Sequence, residues 1–192
     1  MNATVVAGIF VGGKSSRMGG RPKGLLHAPG SSEPIAARLA RIAAECGLEV
    51  VLVGEARAYC EALPDLTALA DAPAIEGPLA GLASLLRFAG QRTAIALACD
   101  LPFVEANLLE RLAAFPSDAD VVAPRLAPDA PWEPLFARYQ SARVLAVLER
   151  SIAEGTRSFQ ALFKRLRVDA SPLQPHEARQ LRDWDSPTDL LD

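Results

Sequence analysis

The stretch Thr4-Val5-Val6-Ala7-Gly8-Ile9-Phe10-Val11-Gly12-Gly13-Lys14-Ser15-Ser16-Arg17-Met18-Gly19-Gly20-Arg21-Pro22-Lys23 decides the fold. Thr4 to Val11 is an apolar run rich in β-branched residues and bounded by glycine. A run of this kind suits a central parallel strand buried on both faces. From Gly12 onward the character changes at once. Paired glycines leave the backbone amides open to close approach, and Lys14, Arg17, Arg21 and Lys23 bring four cations together with two hydroxyls. Amides aimed from a tight loop and neutralised by cations are what a phosphate needs, so a triphosphate is the natural guest. The plain alternative is a charged surface turn.

Seven of the 13 glycines lie in the first 30 positions, and two of the three lysines, Lys14 and Lys23, sit among them. Every other basic residue except Lys164 is arginine, so a compact ammonium stands out in this loop. The chain has 192 residues, 50% of them hydrophobic, with a formal charge of −3. At about 150 residues per domain this length predicts one domain, residues 1–192. The balance of 20 basic and 23 acidic side chains carries no block of like charge, which argues against nucleic-acid and membrane surfaces. Three widely spaced cysteines without a C-x-x-C pair, and two histidines, argue against a zinc site or disulfide framework and fit a reducing cytoplasm. The apolar N-terminal run is too short to span a bilayer and lacks the basic start of a secretion signal.

Outward from the loop, strands alternate with helices. Helices are predicted over Pro34 to Cys46, Ala56 to Leu63, Gly77 to Ala89, Glu105 to Ala114, Ala142 to Arg150 and Ser158 to Arg165. Strands are predicted over Glu49 to Val53, Leu66 to Ala70, Thr93 to Cys99, Asp120 to Ala123, Leu135 to Tyr139 (antiparallel) and Leu166 to Val168, with a polar tail to Asp192. This alternation predicts a three-layer α/β domain with a mainly parallel, mixed sheet. Ligands of such sheets sit at the carboxyl ends of the strands. The glycine-rich loop, Asp71 and Asp100 all fall there.

Gly8-Ile9-Phe10-Val11-Gly12-Gly13-Lys14-Ser15 also satisfies the P-loop pattern literally. A true P-loop begins a helix at its lysine, whose N-terminus helps hold the phosphates. Here Ile9, Phe10 and Val11 belong to the strand, and Gly19, Gly20 and Pro22 interrupt any helix starting at Lys14. The P-loop reading is therefore the weaker one.

The pattern G-G-x-S-x-R-M-G followed by lysine, directly after the first strand, resembles nucleotidyltransferases that move a nucleoside monophosphate onto a phosphate acceptor. Among these the chain most resembles the molybdenum cofactor guanylyltransferases. Gly77-Pro78-Leu79-Ala80-Gly81, Cys99-Asp100-Leu101-Pro102 and Pro134-Leu135-Phe136-Ala137-Arg138-Tyr139 match that family's segments in order. Asp183-Trp184-Asp185-Ser186-Pro187-Thr188-Asp189-Leu190 is similar to its N-x-N-T-P-E-D-L. Val11 departs from the family's small residue before the glycine pair.

The resemblance implies a Rossmann-like nucleotidyltransferase domain that transfers GMP from GTP to molybdenum-bound molybdopterin, with pyrophosphate as leaving group and Mg2+ as cofactor. Transient contact with molybdoenzymes or other proteins of the cofactor pathway is implied as well. It assigns catalytic roles to Arg17, Lys23 and Asp100, and leaves Lys14 as a solvated loop residue. Nucleotide contacts fall to Val11, Gly12, Gly13, Ser15, Arg17, Lys23, Asp71, Gly77, Pro78, Leu79, Gly81 and Asp100. Asp100 is the expected metal ligand, with Asp183 and Asp185 as candidates beside it. The bland readings are an N-cap at Asp100, a strand-end turn at Asp71 and a helix cap at Asp185 or Ser186. A family polar residue near Val53 or Gly54 has no polar counterpart at those two positions. The cytidylyltransferase of the same pathway and a catalytically silent nucleotide or cofactor carrier are the alternatives.

Overall fold

The computed structural model describes residues 5–11, 22–73, 75–182 and Trp184. Seven strands form one sheet in the order β3-β2-β1-β4-β6-β5-β7: β1 Val5–Phe10, β2 Glu49–Val53, β3 Thr67–Leu69, β4 Thr93–Ala98, β5 Val121–Ala123, β6 Phe136–Gln140 and β7 Val168–Ala170. β6 runs antiparallel to both neighbours, β4 and β5, and the remaining pairings are parallel. The mainly parallel, mixed sheet expected from the alternation is thus present.

Helices cover both faces: α1 Ile35–Glu45 and α3 Ala106–Ala114 on one, α2 Leu79–Ala89, α4 Ser141–Ala153 and α5 Phe159–Phe163 on the other. Successive strand residues supply opposite cores, as the two-residue period demands. Ile95 and Leu97 of β4 pack with the α1 and α3 side, while Ala94 and Ala96 pack with the α2 side. Both faces being covered explains why the central strands read as unbroken apolar runs.

Three differences from the sequence reading have local causes. Ala56 to Leu63 is no helix beyond a 3-10 turn at Arg57–Tyr59. The last strand lies two residues later than expected, because Val121 to Ala123 pair with Val168 to Ala170. The C-terminal stretch is not merely a polar tail: Leu181 and Trp184 are buried in the α1 and α3 core, and the Trp184 ring meets Phe103 edge-on at 6.2 Å. None of the helices in the described residues is long and apolar enough to cross a membrane.

Strand register sets the floor of the site. Phe10 is the last paired residue of β1 and stands opposite both Val53 and Ala98. Val11, Gly54 and Cys99 therefore leave the sheet at one level. Ile9 and Phe10 lie inside β1, as the strand reading required and the P-loop pattern does not allow.

Candidate active site

At this end of the sheet the strand exits are stitched together before any side chain is considered. Val11 N–H donates to Val53 O at 2.9 Å, Gly54 N–H to Leu69 O at 2.9 Å, and Cys99 N–H to Phe10 O at 3.3 Å. Above them opens a cavity of about 770 Å³, a volume within the usual range for small-molecule sites.

Two of the charged side chains that line it are in contact. Lys23 sits in a single 3-10 turn, Lys23–Leu25, and Asp100 follows β4 by two residues. Lys23 Nζ donates to Asp100 Oδ2 at 3.0 Å, with both side chains about four-fifths buried. Asp100 does not cap the next helix: α3 begins at Ala106, and Glu105 occupies the N-cap position. The cap reading of Asp100 is thereby removed.

Asp71 enters from the other side of β1. The connection from β3 to α2 is strapped to the helix, with Ser84 Oγ donating to Ala70 O at 2.7 Å and Ala72 N–H to Ala80 O at 3.4 Å. This brings Asp71 against Gly81. A Cβ at Gly81 would stand 3.0 Å from Phe10 Cε1, 3.0 Å from Val53 Cγ1 and 3.1 Å from Asp71 Oδ1. Gly77, with φ of +79°, makes the turn that starts this connection toward α2, a conformation costly for any residue with a side chain.

Of the residues singled out in the sequence, Val11, Lys23, Asp71, Gly77, Pro78, Gly81 and Asp100 line one cavity. Leu79 does not: as the first residue of α2 it is fully buried among the apolar side chains beneath. Gly12, Gly13, Ser15, Arg17, Asp183 and Asp185 lie outside the described residues.

The structure adds wall residues that sequence reasoning missed. Glu55 follows Gly54 onto the wall, so a carboxylate stands one position beyond the place where the resemblance pointed to a missing polar group. Leu135 lines the cavity as well. Its carbonyl accepts from Ala98 N–H at 2.7 Å, and the preceding Pro134 carbonyl accepts from the buried Tyr139 hydroxyl at 2.6 Å. Leu135 belongs to the P-L-F segment, so its motif was available; Phe159, at the start of α5, and Tyr59 had none.

Tyr59 and Cys99 lie under the Lys23 turn, with hydroxyl and sulfur 3.9 Å apart. Burial pushes the Cys99 thiol up to about 11, and the Asp100 charge adds to this, while the Tyr59 hydroxyl, the Gly24 amide and Lys23 pull the other way. Burial also raises the Tyr59 phenol well above its ordinary range. Both groups are therefore neutral at physiological pH, and the charge facing the cavity here is that of Lys23 and Asp100.

A cation and a carboxylate in contact, open glycine-bordered walls and strand ends at one level suit a polyphosphate and a charge-neutralising transfer at phosphorus. Comparison with known proteins agrees with this chemistry. A family model described as a MobA-like NTP transferase domain matches residues 7–170. A molybdenum cofactor guanylyltransferase from Pseudomonas putida strain F1 is 34% identical, the match covering 96% of this chain and 94% of that protein. Among solved structures, molybdopterin-guanine dinucleotide biosynthesis protein A from Archaeoglobus fulgidus superposes with a TM-score of 0.74 at 25% identity, covering 96% of this chain and 94% of its own. A nucleotidyl transferase from Methanothermobacter shares the fold with a TM-score of 0.70 at 19% identity, over 97% and 94% of the two chains. The chain belongs to the MobA-like NTP transferase family.

Proposed function

We propose that this chain transfers GMP from GTP to molybdenum-bound molybdopterin. An oxygen of the acceptor's terminal phosphate forms the new bond to the α-phosphorus, and the bond to the bridging oxygen of the leaving pyrophosphate breaks. The observation that carries the reading is the meeting of Lys23 and Asp100 beyond the end of β4, in the cavity that Asp71 and Gly81 also line. The choice of nucleotide and acceptor draws support from the guanylyltransferase name of the Pseudomonas putida relative.

In this reading Lys23 places a compact positive charge where negative charge develops at the α-phosphate, and Arg17, in the glycine-rich loop, shares that task. Gly81 keeps the wall low enough for base and ribose to lie against α2. Because neither partner attacks the other until both are held in line, positioning supplies much of the rate.

The residues present fit a magnesium ion. Magnesium is commonly held by one or two carboxylates with substrate phosphates and waters completing its shell, so a single wall carboxylate such as Asp100 is a sufficient protein anchor. No self-sufficient cluster of three acidic, histidine or cysteine side chains exists among the described residues. Asp100 would hold the ion, with Asp183 or Asp185 as further candidates. Bound there, it would offset charge on the phosphates as pyrophosphate leaves.

The test is competition among GTP, CTP and ATP for binding with magnesium, coupled to pyrophosphate release on adding acceptor. Preference for GTP with release of pyrophosphate is the expected result. Preference for CTP would overturn the substrate, and nucleotide binding without turnover would indicate a carrier instead.

A further inference from the structure

Lys23 is a long, flexible side chain on a turn of only three residues, so its backbone must be held by something else if its ammonium is to stay opposite Asp100. The turn's own bonds, Leu25 N–H to Pro22 O and Leu26 N–H to Lys23 O at 3.0 Å each, are local and do not tie it to the sheet. The far end of the turn is tied to α1, where Ile35 N–H donates to Leu26 O at 2.9 Å, and the tie next to Lys23 is at Gly24. This residue is buried, and a Cβ built on it would stand 2.9 Å from Tyr59 Cε1, 3.0 Å from Tyr59 Oη and 3.0 Å from Cys99 Cβ. The Gly24 backbone therefore lies pressed between a ring and a thiol side chain that come from different parts of the chain.

Those two parts are well anchored. Tyr59 is 1% exposed and belongs to the α1 and α3 core. Cys99 leaves β4 with its amide bonded to Phe10 O, and it immediately precedes Asp100. One side of the clamp is thus covalently continuous with the carboxylate that Lys23 faces.

We propose that Tyr59 and Cys99 are positioning residues for Lys23: they grip the Gly24 backbone and so fix where the ammonium stands relative to Asp100. The inference rests on the reading of Lys23 as the phosphate-facing cation. Neither Tyr59 nor Cys99 takes part in bond making. Their effect is geometric, and misplacing a catalytic charge by about an ångström costs up to about a hundredfold in rate.

The chain offers a direct readout because it contains only three lysines. With lysine labelled by 13C at Cε, the Lys23 signal is assigned from its loss in Lys23→Ala. A held side chain gives two distinct Hε shifts, and a free one gives a single averaged shift. In the full chain the wild type should show a split Lys23 signal, Tyr59→Leu should collapse it, and Tyr59→Phe, which keeps the ring, should restore it. Transfer should fall about tenfold in kcat for Tyr59→Leu. In the Lys23→Ala background the same substitution should cost nothing further. Should Tyr59→Leu fail to fold, Gly24→Ala, which adds one methyl inside the clamp, should shift or collapse the Lys23 signal instead. An unchanged Lys23 signal, or equal losses of kcat in both backgrounds, would overturn the clamp. A wild type without transfer activity would sink the proposed reaction while the lysine spectra still judge the clamp.

Discussion

Lys23 and Asp100 are 77 positions apart in sequence, yet their charged groups meet at 3.0 Å. The contact joins the chain after the first strand to the exit of the fourth, across the part of the sheet where those strands pair directly. Truncating either side chain leaves the apolar core intact, since both stand at the cavity wall. Asp100→Ala should therefore keep the fold, seen as an unchanged far-ultraviolet spectrum, and lose on the order of a hundred- to a thousandfold in transfer rate. Lys23→Arg should recover little of the activity lost in Lys23→Ala, because a planar guanidinium does not reproduce a compact ammonium. Near-normal magnesium- and GTP-dependent transfer by Asp100→Ala would rule out its assigned role.

Gly81→Ala sets two effects against each other. Alanine in a helix gains up to about 1 kcal/mol over glycine. The new methyl would press on Phe10 and Val53, from two different strands, and on Asp71, all at 3.0 to 3.1 Å. Such crowding costs about 1–3 kcal/mol, so a net loss of about 1 kcal/mol is expected. The more telling measurement is the nucleotide dissociation constant, which should rise as Asp71 is displaced, with kcat falling less than affinity.

How much of the fold and site is legible in the sequence depends on whether the determinant is local. Strands β1 and β4 are readable because burial on both faces leaves an apolar run, and the G-P-L-A-G turn because Gly77 and Pro78 each suit a specific backbone position. The pairing of Lys23 with Asp100 is legible only as two separate motifs, since strand order is what joins them. Tyr59 is not legible at all. Ala56 to Leu63 has helical composition, but only the Arg57–Tyr59 turn forms, and the residue's significance comes from a glycine 35 positions earlier, which no periodicity reveals. Leu79 shows the opposite case: membership of a motif marks it as a contact, while its side chain, at the start of α2, is buried in the core.

Arg138 carries a buried cation held by backbone carbonyls. From the middle of β6 its guanidinium donates to Ala113 O at 3.0 Å, Phe115 O at 2.6 Å and Ser117 O at 3.3 Å, closing the C-terminal end of α3. Burial lowers its pKa, yet a guanidinium stays charged at any working pH. Arg138→Met would retain most of the apolar stem and leave three carbonyls without this donor. A loss of about 2–4 kcal/mol is expected, read as a lower urea midpoint at unchanged m value. Arg138→Lys should recover only part of it, because an ammonium cannot span three acceptors arranged around a planar fork.

Glu177 gives the pH dependence of the fold. Its carboxylate is 5% exposed and accepts from Arg111 Nη1 at 2.5 Å, Arg111 Nη2 at 2.6 Å and Gln174 N–H at 2.6 Å. These bonds, Arg111 foremost, hold its pKa below the ordinary 4.5 even though burial opposes them. A carboxyl whose folded pKa lies below its unfolded one stabilises the fold fully above the unfolded value and loses that contribution as pH falls through the folded value. Glu177→Gln should accordingly be less stable than wild type by about 2 kcal/mol at pH 7. The gap should shrink progressively below about pH 4.5, where the wild-type carboxyl in the unfolded chain takes up its proton. The C-terminal segment that carries Glu177 also carries Trp184, whose backbone N–H donates to Asp100 O at 3.2 Å. Urea titrations of both proteins from pH 7 to pH 3 decide the matter: a gap that stays constant across the range would mean that the Glu177 charge does not contribute to stability.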